Sequence, residues 1–221
     1  VEVGKVDVVH HGIEAAFRPL ARQEVEAFRR QKGLPERFIL FLGTIEPRKN
    51  LEMLLEAYAL LRRAGLPHSL VIAGARGWQC EGVFARRERL GLGQLVAFPG
   101  YLPYPEPLWY NAADLFVYPS LYEGFGFPPL EAMACGTPVV ASATSALPEV
   151  VGEAGLLCDP HSAEDLAQAM RRVLADPDMG RQLAERGLAR ARHFSWQEAA
   201  RRTAAVYAKA DDGTTLKRAR A

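Results

Sequence analysis

Six short apolar runs, separated by amphipathic segments, constrain the fold of this chain more than any other feature of its sequence. The runs are uniformly apolar rather than alternating, as expected for strands that helices cover on both faces. Their alternation with amphipathic segments from Phe38 to Pro160 is typical of repeated βα units that feed a parallel sheet. The sequence therefore predicts a Rossmann-like α/β fold, a doubly wound parallel sheet of about six strands with helices on both faces. The six runs are residues 38–42, 69–73, 95–98, 114–118, 138–141 and 155–158.

The segments between and after these runs carry helical periodicity. Asn50 is predicted to cap a helix of regularly spaced apolar residues that ends at Gly65. Further amphipathic segments predict a helical C-terminal third, and the polar, aperiodic residues after it predict a disordered tail. We therefore divide the chain into a connector that leads into the domain, the sheet domain with its C-terminal helices, and the tail. The predicted C-terminal helices are residues 165–175, 179–192 and 196–210, and the three divisions are residues 1–37, 38–210 and 211–221.

Charge and cysteine content narrow the class of protein. A formal net charge of +1 provides no global field that would concentrate nucleic acid or an anionic membrane, so we expect no nucleic-acid partner. The three cysteines, Cys80, Cys135 and Cys158, are widely spaced and form neither a disulfide framework nor a zinc motif. The sequence also shows no signal peptide and no apolar run of ~18 residues. We expect a cytoplasmic protein, with peripheral contact at the inner face of the membrane left open.

The loop after the first apolar run carries two neighbouring cations. In open α/β sheets, ligands bind beyond the carboxyl ends of the strands, so the loops at strand ends are the first candidates for a site. Gly43 places a flexible residue at the strand end, where a ligand can approach closely. Arg48 and Lys49 stand just before the next helix and can meet phosphate oxygens. A βα turn with solvated charges is the alternative interpretation.

The loop after the fourth run is suited to bind an anionic or polar ligand. Two glycines bracket Phe125, so backbone N–H groups can converge on a ligand without obstruction by Cβ atoms. Pro129 suits the first turn of a helix, and a helix N-terminus binds anions. Because two consecutive prolines lack N–H groups, the donors must come from residues 124–127 or from Leu130 and Glu131.

Two carboxylates, Glu123 and Glu131, flank this loop with seven residues between them. A carboxylate accepts hydrogen bonds from two vicinal hydroxyl groups, a feature that ribose and hexoses share. The pair is therefore placed to bind both a ribose and a hexose. The alternative is that Glu131 only stabilises the helix dipole and that Glu123 only caps a turn.

The block from Glu123 to Ser142 resembles the E-x7-E signature of retaining, GT-B-fold glycosyltransferases of family 4, the glycosyl transferases group 1. The resemblance covers roughly residues 5–208. A Gly-Thr pair followed by Pro-Arg-Lys-Asn is similar to the mannosyltransferase and rhamnosyltransferase branch. Further motifs occur in the order of that family, namely residues 43–50, 100–102, 113–120 and 147–152.

The resemblance implies a role for each candidate residue. Glu131 would bind the ribose hydroxyls, and Glu123 would bind the transferred sugar. Lys49 would neutralise the diphosphate with no metal ion, since cations replace it. Many relatives carry an arginine directly after the first-strand glycine, but this chain has Thr44. Either Arg48 substitutes in the clamp, or Arg48 is solvated and the clamp is incomplete. The catalytic set is Lys49, Glu123 and Arg48, and the binding set is Glu131, Gly124, Phe125, Gly126, Phe127, Leu130, Gly43 and Thr44, with the base near Gly100, Tyr101 and Leu102.

The resemblance also implies a missing partner. GT-B enzymes have two Rossmann-like domains, and this chain, which begins without methionine, resembles only the carboxyl-terminal donor domain. We therefore expect an absent N-terminal acceptor-binding domain, and no efficient transfer by this chain alone. The expected reaction moves a hexose from GDP-mannose or a UDP-sugar to a glycan, lipid-linked or small-molecule acceptor. The alternatives are a GT-B relative with another reaction, such as a phosphorylase or epimerase, and a non-catalytic nucleotide-sugar-binding module.

Other polar and aromatic features are interpreted as structural. Asp176-Pro-Asp178 spells D-x-D, but we interpret it as a helix stop and an N-cap rather than a metal site. His10 and His11 lack the spacing and the carboxylate partner of a metal site. The arginines between residues 181 and 202 are expected on a solvated helix face. For Tyr101, Tyr104, Trp109 and Tyr110, packing beneath a proline-rich loop and a base-stacking platform both remain open.

Overall fold

The computed structural model describes residues 5–211, and within them six strands form one parallel sheet in the order β3-β2-β1-β4-β5-β6. The doubly wound parallel sheet predicted from the apolar runs is confirmed. The strand order reverses between β1 and β4. In open α/β sheets, ligands bind in the crevice at the carboxyl ends of the two strands that flank such a reversal. The strands are β1 Phe38–Leu42, β2 Ser69–Ala73, β3 Val96–Gly100, β4 Leu115–Tyr118, β5 Val139–Ser142 and β6 Leu156–Cys158.

The register of the central strands brings two loops together. β1 pairs with β2 along its whole length, and it pairs with β4 on the other side through Ile39↔Leu115 and Leu40↔Phe116. Because β1 and β4 are adjacent and parallel, the residues that follow Leu42 and Tyr118 leave the same edge side by side. The predicted cationic loop and glycine-rich loop therefore face each other.

Burial of the strands follows their position in the sheet. The central strands are almost entirely buried, in agreement with their uniformly apolar sequences. The edge strands differ from that expectation, since β3 alternates between covered and open residues and β6 is half-buried along most of its length. In β3, Phe98 packs on Phe84 with ring centroids 4.8 Å apart, whereas Ala97 and Pro99 are exposed. An edge strand has a neighbour on one side only, so helices cover it less completely.

Helices cover both faces of the sheet. Among the later ones, α8 starts at a proline and is capped by Asp176, whose carboxylate accepts hydrogen bonds from the Asp178 and Met179 N–H groups at 3.0 and 3.1 Å. The helix-stop and N-cap interpretation of the D-x-D sequence is confirmed. The helices are α1 Arg22–Lys32, α2 Leu51–Arg63, α3 Glu81–Arg89, α4 Pro107–Ala112, α5 Phe127–Ala134, α6 Leu147–Val151, α7 Ala163–Ala175, α8 Pro177–Ala191 and α9 Trp196–Asp211.

Asn50 occupies the N-cap position of α2, as predicted, and its carbonyl oxygen accepts from the Leu54 N–H at 3.2 Å, but its side chain does not cap the helix. A short 3-10 turn at Pro47–Lys49 delivers the chain into Asn50 with φ of 58°, a left-handed conformation that asparagine tolerates, and no side-chain cap bond forms. Its amide nitrogen instead donates to the carbonyl oxygens of Pro119 at 3.2 Å and Pro160 at 2.7 Å. Asn50 thus ties the loop after β1 to the loop after β4.

Residues of the predicted connector pack on the sheet domain. The Ile13 N–H donates to the Phe194 carbonyl oxygen at 3.1 Å, just before α9. Helix α1 lies against α4, where Phe28 meets Trp109 edge to face with ring centroids 5.4 Å apart. The first four residues and residues 212–221, which include nearly all of the predicted tail, lie outside the described residues. None of the helices within residues 5–211 is long and apolar enough to cross a membrane.

Candidate active site at the switch point of the sheet

A cleft of about 650 Å³ opens between the loops that follow β1 and β4. Most of the predicted site residues line it. The structure therefore brings together side chains that stand more than 70 positions apart in the sequence, such as Lys49 and Glu123. The lining residues are Gly43, Thr44, Glu46, Arg48, Lys49, Tyr118, Glu123, Gly124, Phe125, Gly126, Phe127 and Pro128, together with His11.

Gly43 opens the cleft at the end of β1. Its φ of 156° lies in a region that side chains rarely adopt, and a Cβ atom there would stand 3.3 Å from the Phe41 ring and 3.6 Å from Lys49 Cε. A larger residue would therefore crowd the Phe41 ring and contact the stem of Lys49.

Lys49 lies on the floor of the cleft with only 6% of its surface exposed. Its Nζ donates to the Tyr118 hydroxyl at 2.5 Å and to Glu123 Oε1 at 2.6 Å. Burial lowers the pKa of Lys49, and Glu123 opposes this effect. The pKa of Glu123 is lowered even though burial alone would raise it, because Lys49 and Arg48 bind the carboxylate. Glu123 is therefore ionised at neutral pH.

Arg48 belongs to the same cluster, although its side chain is 40% exposed. Its Nη1 lies 2.8 Å from Glu123 Oε1 and donates to the Tyr122 carbonyl oxygen at 2.8 Å. Its Nη2 donates to Glu46 Oε1 at 2.6 Å. Two cations and two carboxylates thus form one connected, formally neutral network, which we call the charge cluster: Glu46, Arg48, Lys49 and Glu123.

The glycine-rich loop forms the opposite wall. The Glu123 N–H donates to Ser145 Oγ at 2.9 Å, which fixes the start of the loop to the segment after β5. Gly126 has φ of 111°, and a Cβ atom there would come within 2.9 Å of Leu147. Helix α5 begins at the next residue, Phe127. Leu130 is fully buried and its N–H donates to the Gly126 carbonyl oxygen at 3.3 Å, so that group serves the helix rather than the cleft.

His11 also lines the cleft, although no motif in the sequence indicates this position. Its ring lies 5.0 Å from Phe125 and 5.3 Å from Phe127, measured between ring centroids. The neighbouring His10 is hydrogen-bonded to Glu149 at 2.7 Å. Only the fold reveals these contacts, because they join segments separated by more than a hundred residues.

Glu131 lies away from the charge cluster, one turn into α5. It is 6% exposed, and its Oε2 accepts a hydrogen bond of 2.6 Å from the Tyr110 hydroxyl. Burial raises the pKa of Glu131, and the bond from Tyr110 opposes that rise. The structure does not place Glu131 on the lining of the 650 Å³ cleft.

Gly100, Tyr101 and Leu102 lie at the end of β3, apart from the cleft. Tyr101 and Leu102 border a separate groove of about 390 Å³, next to Trp109. Trp109 and Tyr110 are buried, so the packing interpretation is confirmed for them. It is wrong for Tyr101 and Tyr104, which are 72% and 64% exposed, because the loop after an edge strand has no layer above it. Within residues 5–211, no group of three or more His, Cys, Asp or Glu side chains is placed to bind a metal ion.

Comparison with known sequences identifies one family. The family model described as Glycosyl transferases group 1 matches residues 23–190 of the chain. The chain is also 43% identical over 173 residues to O-antigen chain mannosyltransferase B of Escherichia coli. That alignment covers 77% of this chain and 45% of that protein.

Solved structures share the fold. Sucrose-phosphate synthase from Thermosynechococcus elongatus has a TM-score of 0.79 at 32% identity, over 94% of this chain and 53% of that one. The C-terminal domain of LpcC, a glycosyl transferase group 1 family protein from Francisella tularensis, has a TM-score of 0.72 at 25% identity, over 82% of this chain and 97% of that domain. The chain therefore spans about half of the mannosyltransferase and of the sucrose-phosphate synthase, and nearly all of the LpcC domain.

Proposed function

The chain belongs to the glycosyl transferases group 1 family, and we propose that it is the donor-binding half of a retaining glycosyltransferase. Its extent matches an isolated C-terminal domain of a family member far better than it matches the whole proteins. In this proposal the missing partner is an N-terminal acceptor-binding domain. Residues 38–210 form the nucleotide-sugar-binding domain, and residues 1–37 lead into it. The proposed setting is cytoplasmic, in keeping with three free, buried cysteines, and the proposal also allows peripheral membrane contact.

The observation that carries the proposal is the charge cluster at the switch point. Lys49 and Arg48 both face a cleft of about 650 Å³, which exceeds the minimum for a small-molecule site. Because Glu46 and Glu123 already balance these cations, an incoming diphosphate competes with Glu123 for them. The competition releases a carboxylate oxygen next to the bound phosphates. That oxygen can then accept hydrogen bonds from the hydroxyl groups of the transferred sugar.

The glycine-rich loop completes the proposed sugar site. Residues 124–127 line the cleft where the chain enters α5, and their backbone N–H groups are the proposed donors to a polar ligand, because Pro128 and Pro129 lack N–H groups and the Leu130 N–H bonds within the helix. Glu131 is the proposed ribose ligand, and residues 100–102 are the proposed contact for the base. The name of the E. coli relative, a mannosyltransferase, favours GDP-mannose over a UDP-sugar as the donor. The proposed acceptor is a glycan, a lipid-linked glycan or a small molecule.

The rate gain in this proposal comes from the leaving group. Negative charge accumulates on the diphosphate as the glycosidic bond breaks, and preorganised cations stabilise that charge more in the transition state than in the ground state. Lys49 and Arg48 supply two such charges, which makes the proposed reaction independent of a metal cofactor. Retention of the anomeric configuration is the expectation taken from the family.

Calorimetry with GDP and UDP in the presence of a chelator tests the binding site. We expect one binding event per chain for at least one nucleotide, and loss of most of the affinity in Lys49→Ala. Glu198→Gln, which alters an exposed ion pair on α9, is the matched charge control. Binding that disappears when the chelator removes divalent ions would contradict the metal-free proposal, and equal binding by Lys49→Ala would contradict the location.

A further inference from the structure

We propose that two buried tyrosines, Tyr110 and Tyr118, are positioning residues that hold the two ends of the nucleotide site. Tyr118 orients the ammonium group of Lys49, and Tyr110 orients the carboxylate of Glu131. The inference rests on the proposed function, because it assumes that Lys49 meets the diphosphate and that Glu131 meets the ribose.

Tyr118 fixes the direction of the Lys49 donors. A lysine ammonium has three N–H groups, and the described residues take two of them, through Tyr118 and Glu123. The Tyr118 hydroxyl is buried, and burial together with the Glu123 carboxylate raises its pKa well above the ordinary value. Tyr118 therefore stays neutral, accepts from Lys49 and leaves its charge intact. The third N–H, and the one that Glu123 gives up when the diphosphate competes for Lys49, are then available to phosphate oxygens.

Tyr110 performs the corresponding task for Glu131. Its hydroxyl donates to Oε2 at 2.6 Å, while the residues that the structure describes give Oε1 no hydrogen-bond donor. Burial and the Glu131 charge raise the pKa of Tyr110 well above the ordinary value, so it remains a donor. Its backbone is also held, since Thr137 Oγ1 donates to the Tyr110 carbonyl oxygen at 2.7 Å. One carboxylate oxygen is thus fixed, and the other is available to a ribose hydroxyl.

The two phenols are carried by one row of packed rings. Tyr110 meets Phe116 at 5.2 Å between ring centroids, Phe116 stacks on Tyr118 at 5.8 Å, and Tyr118 stacks on Phe41 at 5.7 Å. Every ring in this row is fully or almost fully buried. Rings packed in this way are locked in their rotamers, so both hydroxyl groups have fixed positions.

Tyr58 shows what a purely structural tyrosine does in the same protein. Its ring is equally buried, but its hydroxyl lies 2.8 Å from the His68 carbonyl oxygen and 3.2 Å from that of Leu95. A buried phenol needs a hydrogen-bond partner, and a backbone carbonyl is sufficient. Tyr110 and Tyr118 instead use their hydroxyl groups on the two side chains that the proposed function assigns to the nucleotide.

The test measures GDP affinity by calorimetry, with chelator, from about pH 5 to about pH 10 for the 221-residue chain and three variants. Affinity should fall in alkali as free Lys49 loses its proton, and in acid as free Glu131 gains one. Tyr118→Phe should shift the alkaline fall to lower pH, because the ammonium loses an acceptor. Tyr110→Phe should shift the acid fall to higher pH, because the carboxylate loses a donor. Tyr58→Phe should shift neither.

The other groups that face these residues are unchanged in sequence across the variants, although Tyr118→Phe also removes a hydrogen bond between the Tyr118 hydroxyl and Glu123. Lys49 also faces Glu123, Arg48 and Glu46, and Glu131 also faces Tyr104 and Cys135. Protonation of the nucleotide phosphates is common to all variants as well. Each expected shift is about half a pH unit or more, with an affinity loss of about fivefold at neutral pH.

Three results would overturn the inference. The first is that, in both tyrosine variants, the GDP affinity falls by the same factor at every pH, as a general loosening of the fold would cause. The second needs no tyrosine variant: an alkaline fall that persists in Lys49→Met, or an acid fall that persists in Glu131→Gln, would show that these side chains do not control the profile. The third is an unmutated chain that binds neither GDP nor UDP, which would reject the proposed function as well.

Discussion

Replacement of Glu123 by glutamine should destabilise the fold and at the same time preserve diphosphate binding. The carboxylate lies 2.6 Å from Lys49 Nζ and 2.8 Å from Arg48 Nη1. The Lys49 side chain is 7% exposed and that of Glu123 is 11% exposed, so the pair is shielded from water. Removing one partner of a buried pair leaves the other charge uncompensated, at a cost of about 3 kcal/mol of unfolding free energy. The glutamine retains the shape, so cavity effects are small.

The same change should favour the nucleotide. Glu123→Gln leaves Lys49 and Arg48 with only Glu46 as a counter-charge. A diphosphate can then replace the lost carboxylate, so GDP should bind at least as tightly as it binds the unmutated chain. At a ligand concentration of 100 times Kd, binding restores about 2.7 kcal/mol of stability, close to the loss. Urea unfolding with and without GDP measures both quantities.

The pH dependence follows from the direction of the Glu123 pKa. Its pKa is lowered in the folded protein, so the stability that it contributes is present above the pKa of an unfolded glutamate, about 4.3. That contribution is lost as the pH falls through the lower folded value. The difference between the unmutated chain and Glu123→Gln should therefore shrink in acid. Glu198→Gln is the control, since that carboxylate belongs to exposed ion pairs that solvent screens. A loss below about 1 kcal/mol at neutral pH, or weaker GDP binding by Glu123→Gln, would refute the reasoning.

Two further perturbations separate the roles of individual side chains. Glu131→Ala should weaken the binding of GDP and of GDP-mannose alike, by about 1–3 kcal/mol. Glu123→Ala should instead remove only the additional affinity that the sugar gives to GDP-mannose. Calorimetry that shows equal losses of affinity for both ligands in both variants would contradict this division of roles. Asn50→Gly keeps the left-handed backbone but removes the hydrogen bonds to Pro119 and Pro160. The variant should therefore lose about 1–2 kcal/mol of unfolding free energy, measured by thermal unfolding. An unchanged melting temperature would show that these bonds do not join the loops.

The fold was predictable because most of its strands are buried on both faces. Strands β1, β2, β4 and β5 are apolar almost throughout, and in a chain of alternating elements that composition is typical of the inner strands of a parallel sheet. The partial exposure of β3 was not predictable, because its sequence, Val96–Gly100, does not show that the strand lies at an edge. Strand order depends on the connections between units, and the apolar pattern carries no information about it.

The two loops of the site were predictable, but the interactions between them were not. The general position of ligands in such sheets directs attention to residues 43–50 and 119–127. Nothing in either loop shows that Lys49 binds Glu123, a contact between residues 74 positions apart. The role of Tyr118 could not be predicted for a different reason. It sits in an apolar strand, where a tyrosine is ordinarily a packing residue, and only its distance from Lys49 reveals another role.

The product formed by this chain together with the proposed N-terminal acceptor-binding domain tests the central claim most directly. The transferred sugar would lie at the open ends of the strands, and a second domain must close that face to align the acceptor and to exclude water. With GDP-mannose and an acceptor, NMR of the product should show a new glycosidic bond with the anomeric configuration of the donor, and residues 1–221 alone should give no turnover. An inverted product, or efficient transfer by residues 1–221 alone, would contradict the assignment of this chain as the donor-binding half of a retaining glycosyltransferase.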